Sequence, residues 1–244
     1  MIRVVCLLIG YMFGLIQTSY ILGRIKGIDI REYGSGNAGT TNTLRVLGKK
    51  ASLIVFLVDL FKTIIPVALT GIIIANTPLN DKYGDMIYLL KLYTGLGAVL
   101  GHNFPFYLKF KGGKGIAASG GMILGYHWIF VPFDFVIFFG TFALTHYVSL
   151  ASILLLFGFF VQMILMAVMG WSFFAGLSTA ITIEICILTF IISFMAIFRH
   201  RANIQRLLSG CERKTYLGKK KTDSTTDDNS EVNTETNQSQ ESAN

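Results

Sequence analysis

Apolar runs long enough to cross a bilayer alternate with short polar stretches along most of this chain. A helix needs about 20 predominantly apolar residues to span the hydrocarbon core. We predict one transmembrane helix for each of seven runs, with Pro132 and Gly170 among the few markers of the middle boundaries. Six spans is the alternative, if two short middle runs form one kinked or re-entrant segment. The runs lie at residues 3–23, 51–75, 86–104, 116–132, 133–149, 150–171 and 176–198.

Composition favours a membrane-embedded fold. The chain is 52% hydrophobic and only 14% charged, with a mean hydropathy of +0.57, whereas soluble domains carry about 25% charged residues. We therefore predict an all-α membrane protein whose polytopic domain covers residues 1–217. Residues 218–244 are polar, with Val232 as their one large apolar side chain. Because such a segment cannot bury enough surface to offset the entropy of ordering, we expect a disordered cytoplasmic tail there.

The distribution of basic residues predicts the orientation. Seventeen of the 21 lysines and arginines fall in residues 24–50, in residues 105–115 and in the segment from Arg199 onward. Loops rich in lysine and arginine stay in the cytoplasm. Seven spans then place the N-terminus outside and the C-terminus in the cytoplasm, whereas an even number would leave the basic C-terminal segment outside. The net charge of +7 is explained by these basic cytoplasmic loops, which face anionic lipid. The expected partner is therefore membrane lipid and not nucleic acid.

The first glycine-rich motif, GSGNAGTTN, has the composition of a phosphate-binding loop. Glycines permit positive φ and close approach of a ligand, successive N–H groups can form an anion-binding nest, and hydroxyl and amide side chains add neutral donors. The alternative is a flexible cytoplasmic loop whose charges only set the topology. The candidates are Ser35 and Arg45 for catalysis, and Gly34, Gly36, Asn37, Thr41 and Asn42 for substrate binding.

A second motif, KFKGGKG, follows the third predicted span. Two lysines around a pair of glycines, at the start of a predicted helix, offer cations, unpaired N–H groups and a positive helix end to an anion. The alternative is a basic loop that fixes topology, and for Lys109 we expect only that role. His102, just upstream, is either a base or an interfacial polar residue. The candidates are Lys111 and Lys114 for catalysis, and His102, Gly112, Gly113 and Gly115 for substrate binding.

A third polar motif, RHRANIQRLL, lies where the last predicted span leaves the membrane. On a continuous helix, Arg199, Asn203 and Arg206 would share one face, and His200 would lie beside Asn203. The alternative is a basic amphipathic helix on anionic lipid, which does not account for the histidine or the asparagine. His200 and Asn203 are therefore further catalytic candidates.

Polar side chains within the predicted spans raise separate questions. Ser149 and Ser152 either donate to a phosphate or permit close helix packing, and we count them as substrate-binding candidates. Asp59 and Lys62, three residues apart, are either functional or a mutual structural bridge. Glu184 has no obvious partner and lies near the outer interface. The three cysteines are widely spaced and indicate neither a disulfide nor a zinc site; no metal and no cofactor is expected.

Five motifs in this order resemble those of the bacterial acyl-phosphate:glycerol-3-phosphate acyltransferase family, over residues 1–217. Any one glycine motif would be weak evidence, but five in register are highly specific. They are D-I-R-E-x-G-S-G-N-x-G-x-T-N-x-x-R (Asp29 to Arg45), L-V-D-L-x-K-x-x-x-P-V (Leu57 to Val67), G-H-N-F-P-x-x-L-K-F-K-G-G-K-G-x-A (Gly101 to Ala117), Y-V-S-L-A-S (Tyr147 to Ser152) and R-H-R-x-N-I-x-R-L-L-x-G-x-E (Arg199 to Glu212).

The resemblance implies a multi-pass enzyme of the bacterial inner membrane with its motifs on the cytoplasmic side. Such an enzyme transfers a fatty acyl group from acyl phosphate to the 1-hydroxyl of glycerol 3-phosphate. It releases lysophosphatidic acid and phosphate in the first step of phospholipid biosynthesis. Functional roles are implied at the matching positions Ser35, Arg45, Lys111 to Gly115, His200 and Asn203. Departures from the usual pattern are Thr40, Ala118, His146 and the polar tail.

These observations lead to a mechanistic hypothesis and two rivals. Both substrates are phosphates, so the site needs two anion pockets, and we expect direct transfer with either His200 or an oxygen of the acyl phosphate as base. A transporter for an organic phosphate is the first rival, although transporters place their sites near the bilayer midplane on broken helices. A scaffold that binds anionic lipid is the second rival.

Overall fold

The computed structural model describes residues 1–216, and all of their regular secondary structure is helical. The predicted polar tail, residues 218–244, lies outside the described residues. In chain order the α-helices are α1 (Ile2–Gly14), α2 (Thr18–Ile25), α3 (Thr40–Ala75), α4 (Asn80–Tyr83), α5 (Ile87–Asn103), α6 (Ile116–Tyr126), α7 (Val131–Phe135), α8 (Thr141–Thr145), α9 (Val148–Met169), α10 (Thr179–Arg199) and α11 (Arg201–Leu208), and a π-helical turn, Val136–Gly140, joins α7 to α8.

Each of the seven predicted apolar runs is mostly helical, with breaks inside several of them, and the protein is a multi-pass membrane protein. Helix α6 has 11 residues and α5 has 17, and twelve of the residues of α5 are buried inside the bundle. Among the described residues, five helical segments are long and apolar enough to cross a membrane: Ile2–Ile25, Thr40–Ala75, Trp128–Thr145, Val148–Met169 and Thr179–Arg199.

The predicted boundary at Pro132 is wrong by several residues. The chain leaves helical geometry at His127, whose φ of −159° and ψ of 133° are extended and whose Nδ1 accepts a hydrogen bond from the N–H of Ile129 at 3.2 Å. Pro132 instead lies in the first turn of α7. Proline is tolerated there because the first N–H groups of a helix have no intrahelical partner.

Glycines spaced four residues apart allow two pairs of helices to touch through their backbones. Gly10 and Gly14 of α1 face Gly97 and Gly101 of α5, and a Cβ at any of the four would run into backbone atoms of the facing helix. Gly121 in α6 makes the same kind of contact with Leu60 of α3. Small residues four apart are the usual interface of closely packed membrane helices, where dispersion and not hydrophobicity holds helices together.

A buried charged cluster joins three parts of the bundle. The Nζ of Lys62 donates to Oδ1 of Asp59 at 2.7 Å and to the carbonyl of Ile16, in the break between α1 and α2, at 2.6 Å. It also lies 2.9 Å from Nδ1 of His102 on α5. These three acceptors use all three protons of the ammonium group. Asp59 and Lys62 are therefore bridged to each other, and Asp59 and His102 also line a cavity of the candidate site described below.

Glu184, for which the sequence offers no obvious partner, is paired in the structure. Its carboxylate accepts two hydrogen bonds from Arg3, at 2.6 and 2.7 Å, and one from the hydroxyl of Tyr93 at 2.7 Å. Arg3 lies 181 positions away in the sequence, so no local pattern could reveal the pair. Arg3, Tyr93 and Glu184 thus connect α1, α5 and α10. Glu184 lies about 22 Å from Arg199 along α10, since each residue adds 1.5 Å to a helix.

Candidate active site

Two cavities of opposite character meet at one polar wall. The apolar cavity, about 320 Å³, reaches from the glycine-rich loop between membrane helices to Phe135 and Phe138. The polar cavity, about 910 Å³, opens among the loops that carry Asp29, Arg31 and Lys111. Both volumes fall near the range of ligand-binding pockets. The residues that line both cavities are Ser35, Asn37, Arg45, Lys114, Asn203, Arg206, Glu212 and Arg213.

Asn42 holds the first glycine-rich loop in shape. Its Nδ2 donates to the carbonyls of Ile30 and Tyr33, each at 3.0 Å, and its Oδ1 accepts from the N–H of Ser35 at 2.7 Å and from the Ser35 hydroxyl at 3.1 Å. Gly34 lies against this amide with a φ of +64°, and a Cβ there would collide with Oδ1. All four hydrogen-bonding positions of the amide are thus used within the loop, and Ser35 is held at the shared wall.

Two helix N-termini face the apolar cavity. Helix α3 begins after Gly39 with Thr40 and Thr41, and α6 begins after Gly115 with Ile116; all of these residues line the cavity. Neither helix has an acidic residue in its first turn or a side-chain cap. Their first N–H groups and the positive ends of both helix dipoles are therefore available to an anion. Helix α3 is interrupted at Gly48 (φ +83°), which separates this first part from the long apolar part.

The second glycine motif is a loop pressed against the end of α5. The N–H groups of Gly112 and Gly113 donate to the carbonyls of Asn103 and His102 at 3.2 and 3.1 Å. A Cβ on Gly113 would meet Nε2 of His102, and the carbonyl oxygen of Ala38 at 2.7 Å. Both positions therefore require glycine for reasons of space. Gly113 itself lines neither cavity, whereas Gly112 lines the polar one.

Arg199 braces the same loop from α10. Its Nη2 donates to the carbonyl of Gly113 at 2.6 Å and to that of Gly112 at 3.3 Å, and its guanidinium lies 5.2 Å from the ring centre of Phe104. These contacts fix the position of Lys114, the next residue, at the wall between the cavities. Lys111 is exposed and lines only the polar cavity.

Glu212 is the centre of a hydrogen-bond network at the shared wall. Its Oε1 accepts from Nδ2 of Asn203 at 2.6 Å and from the hydroxyl of Ser149 at 2.9 Å, and its Oε2 accepts from Nε of Arg206 at 2.7 Å. The Oδ1 of Asn203 in turn accepts from Nζ of Lys114. One carboxylate therefore orients side chains from α9 and α11 and, through Asn203, the lysine of the glycine loop.

The expectation of one continuous helix through the third motif is wrong. Helix α10 ends at Arg199 and α11 begins at Arg201, with His200 between them at φ −96° and ψ 7°. As a result Arg199 contacts the glycine loop, whereas Asn203 and Arg206 share Glu212 as partner. The Ser152 hydroxyl donates to the carbonyl of Val148 within its own helix at 2.7 Å, so its proton is not available to a ligand.

Burial lowers the pKa of two basic groups at the site, Lys114 and His200. Desolvation, with smaller contributions from nearby arginines, lowers the pKa of Lys114 to about 8. Desolvation also lowers the pKa of His200 to about 4, so its ring is neutral near pH 7. Nδ1 of His200 lies 2.8 Å from the carbonyl of Ala196. A carbonyl can only accept, so Nδ1 carries the proton and Nε2 keeps its lone pair.

Glu212, the acidic residue of this site, is not among the candidates predicted from the individual motifs. Burial disfavours the charged form of Glu212, but hydrogen bonds from Asn203, Arg206 and Ser149 outweigh that effect and hold its pKa below the usual range. The signal was present in the sequence, because the third motif extends to this glutamate. The same segment is held at position 146 by the backbone, because the carbonyl of His146 accepts a hydrogen bond from the N–H of Thr215 at 2.9 Å.

A bundle of apolar helices with uncapped helix N-termini and several basic side chains gathered at one polar wall is the architecture of an integral membrane protein with a candidate anion site. The sequence matches the profile of the glycerol-3-phosphate acyltransferase family over residues 4–210. Two named glycerol-3-phosphate acyltransferases are each 40% identical. The one from Halalkalibacterium halodurans aligns over 88% of this chain and 96% of its own length, and that from Thermoanaerobacter pseudethanolicus over 90% and 98%. The chain therefore belongs to the glycerol-3-phosphate acyltransferase family and is an acyltransferase.

Solved structures agree with this assignment. The chain is similar to PlsY, an integral membrane glycerol 3-phosphate acyltransferase, in its glycerol 3-phosphate form, with a TM-score of 0.71, 33% identity and coverage of 88% of this chain and 96% of that one. The lysophosphatidic acid form of PlsY gives a TM-score of 0.68 and 32% identity, covering 87% of this chain and 94% of that one.

Proposed function

We propose that this enzyme transfers a fatty acyl group from acyl phosphate to the 1-hydroxyl of glycerol 3-phosphate, giving lysophosphatidic acid and phosphate. The observation that supports this most strongly is the wall shared by an apolar and a polar cavity. A fatty acyl donor needs an apolar cavity and its phosphate needs an anion site, whereas glycerol 3-phosphate is small and water-soluble. Transfer between them requires the two sites to touch.

The lining residues support an assignment of each substrate to a cavity. The polar cavity carries Lys111 and shares Arg45 and Lys114 with its neighbour, so it suits the dianionic phosphate of glycerol 3-phosphate. The apolar cavity is lined by the first residues of α3 and α6, including Thr41 and Ile116. Their unpaired N–H groups suit the phosphate and the developing oxyanion of an acyl phosphate.

Direct transfer fits the surroundings of Ser35. The partner of its hydroxyl is the amide oxygen of Asn42, which is not a base. Among residues 1–216, no histidine or carboxylate is hydrogen-bonded to it in the way that an activated serine nucleophile requires. We therefore assign Ser35 as a phosphate ligand, Asn37 as a further ligand from the same loop, and Asn42 as the residue that positions both.

The glycerol hydroxyl attacks the acyl carbonyl carbon, the bond between that carbon and the phosphate oxygen breaks, and phosphate leaves. With a pKa of about 4, His200 is a weak base, whereas the oxygens of the departing phosphate become more basic as its bond to the acyl carbon breaks. We therefore assign the proton of the attacking hydroxyl to an oxygen of the departing phosphate. Nε2 of His200, which keeps a lone pair, accepts a hydrogen bond from the 2-hydroxyl of glycerol 3-phosphate and so orients the 1-hydroxyl that attacks.

Phosphate release by the purified protein in detergent tests the proposal. Palmitoyl phosphate is supplied with and without glycerol 3-phosphate. Release that depends on glycerol 3-phosphate and is accompanied by lysophosphatidic acid supports it. A folded protein that releases no phosphate would contradict the acyl phosphate donor and make liposome uptake of glycerol 3-phosphate the next measurement. An acyl group retained on the denatured enzyme would contradict direct transfer, and substantial turnover by Ser35→Ala would support it.

We further propose seven spans in a bacterial inner membrane, with the N-terminus outside and the C-terminus in the cytoplasm. The three basic segments all contribute to the shared wall, through Arg45, Lys114 and Arg206, and so lie on one side. Reaction of single cysteines with an impermeant maleimide tests this, because position 111 should react only from the cytoplasmic side and position 82 only from outside. Residues 1–217 should suffice for activity, as a chain truncated there would show.

A further inference from the structure

A second buried histidine lines the apolar cavity in addition to His200. His102, at the end of α5, is 3% exposed and is among the lining residues of that cavity. Its Nδ1 lies 2.9 Å from Nζ of Lys62, whereas its Nε2 has no hydrogen-bond partner among the described residues. The proposed transfer reaction uses neither His102 nor the charged pair of Asp59 and Lys62.

The neighbours of Nδ1 determine which ring nitrogen of His102 carries the proton. The ammonium group of Lys62 can only donate, so Nδ1 accepts and keeps its lone pair. Oδ1 of Asp59 is 3.6 Å from Nδ1, beyond hydrogen-bond distance, and is paired with Lys62 at 2.7 Å. The proton of the neutral ring therefore lies on Nε2. His200 is the reverse, with its proton on Nδ1, so the cavity has one imidazole that donates and one that accepts.

The Nε2 atom of His102 lies where the two glycine-rich loops meet. A Cβ added to Gly113 would collide with this Nε2 and would lie 2.7 Å from the carbonyl oxygen of Ala38. Ala38 directly precedes Gly39, the N-cap of α3, and Gly113 is two residues before Gly115, the N-cap of α6. The Nε2–H group is therefore beside both helix N-termini, whose first N–H groups have no partner within the helix.

An anion held between these helix ends gives this N–H group an acceptor. A polar group in a buried site is unfavourable unless a new partner replaces its hydrogen bond with water. A phosphate oxygen is such a partner, and the neutral ring adds a directed hydrogen bond to the positive ends of two helix dipoles. The carboxylate of Asp59 also lines the cavity, but Lys62 neutralises its charge, so it does not repel the anion.

We propose that the Nε2–H group of His102 donates a hydrogen bond to the phosphate of the acyl donor, and that Asp59 and Lys62 are positioning residues that keep His102 in this tautomer. This inference rests on the proposed binding of acyl phosphate in the apolar cavity. Lys62 lines neither cavity and acts through His102. His102 is accordingly a hydrogen-bond donor and not the base of the reaction.

Two substitutions of His102 test for a donor at Nε2. The longer side chain of glutamine brings an amide N–H to the position of Nε2, whereas the amide of asparagine reaches only the position of Nδ1. The probe is a β-keto phosphonate analogue of palmitoyl phosphate, in which a methylene replaces the bridging oxygen. His102→Asn should raise its Kd by roughly 10- to 150-fold, the range for hydrogen bonds to charged groups, and His102→Gln should bind it nearly as wild type does. A folded His102→Asn with wild-type affinity, or a folded His102→Gln as weak as His102→Asn, would overturn the proposal.

Nitrogen NMR of histidine-labelled protein tests the tautomer in the wild type, even where these variants do not fold. The signals are assigned by replacing the other three histidines in turn. Nε2 of His102 should be protonated and Nδ1 unprotonated, and the phosphonate should shift the Nε2 signal but not those of His127, which lines neither cavity. In Lys62→Met, Nδ1 faces only the carboxylate of Asp59, an acceptor, and should become protonated. An unprotonated wild-type Nε2, an Nε2 signal that does not shift, or an unchanged Nδ1 in folded Lys62→Met would each refute the proposal.

The same spectra separate this inference from the identity of the donor. A folded wild type that does not turn over palmitoyl phosphate contradicts the proposed donor. If inorganic phosphate, added with saturating glycerol 3-phosphate, still shifts the Nε2 signal of His102 in that protein, the hydrogen bond to a phosphate group is supported although the donor is a different one. Turnover of palmitoyl phosphate without any shift on binding of the phosphonate supports the donor and contradicts the role of His102.

Discussion

Lys114 links the pH of the medium to phosphate binding. It lies at the wall shared by the two cavities, and burial lowers its pKa to about 8. The ammonium group is therefore charged below pH 8 and loses its charge as the pH rises through that value. An ordinary lysine, with a pKa of about 10.4, would stay charged throughout this range. We expect the affinity of the free enzyme for glycerol 3-phosphate to be full below pH 8 and to fall above it.

The size of the effect follows from the titration. If only the protonated form binds, the apparent Kd rises about tenfold between pH 7 and pH 9 for a group with a pKa of about 8. The second pKa of a phosphate monoester is about 6, so the substrate is already dianionic over this range and contributes little to the slope. A hydrogen bond to a charged group contributes about 1.5–3 kcal/mol, or roughly 10- to 150-fold in Kd, so the loss of one such bond can account for the whole change.

Isothermal titration calorimetry of the detergent-solubilised enzyme with glycerol 3-phosphate measures this Kd directly. Repeating the titration at pH 9 in buffers of different ionisation enthalpy should reveal uptake of about one proton on binding, because the bound phosphate favours the charged lysine. The matched control is Lys114→Arg, whose guanidinium stays charged over the whole range. It should bind with a Kd that is nearly constant between pH 7 and pH 9.

Two results would refute this reasoning. A wild-type Kd that stays constant up to pH 9 would show that Lys114 is not desolvated as the structure implies, or that it does not contact the phosphate. An equal rise in wild type and in Lys114→Arg would assign the pH dependence to another group. Lys114→Met, which keeps the length of the side chain without charge, should bind weakly at every pH.

Three other substitutions test the supports of the site. Asn42→Ala should lower kcat/KM by roughly 10- to 100-fold, because it removes two hydrogen bonds that position Ser35, each worth about 0.5–1.5 kcal/mol; steady-state kinetics at constant folded fraction would show this. Gly113→Ala should abolish activity by displacing the loop, whereas Gly140→Ala, where an added Cβ meets no atom within 4 Å, should not; equal activities would contradict the packing. Glu184→Ala should lower the free energy of unfolding by at most about 1 kcal/mol, because its partner Arg3 is partly exposed. The thermal midpoint should therefore fall only slightly, and kcat should not change.

The chemical character of the site was predictable from local sequence. Glycines at positions 34 and 36 do adopt positive φ, as a nest of N–H groups requires, and the lysine and histidine motifs lie beside them. The sequence did not reveal which candidates contact a ligand and which hold others in place. Asn42 uses its whole amide inside the loop, and Gly113 is needed for space and lines neither cavity.

What the sequence determined by itself is the set of apolar segments and their helical state, because a bilayer leaves the backbone few ways other than helices to satisfy its hydrogen bonds. Only the tertiary structure decided which side chains are hydrogen-bonded to each other. Ser149 and Glu212 are 63 positions apart, Lys114 and Asn203 are 89 apart, and Arg3 and Glu184 are 181 apart. Such contacts depend on how glycine-rich helices pack and where helices break. Packing, unlike helix formation, is set by surfaces that meet across the whole chain, and no local pattern encodes it.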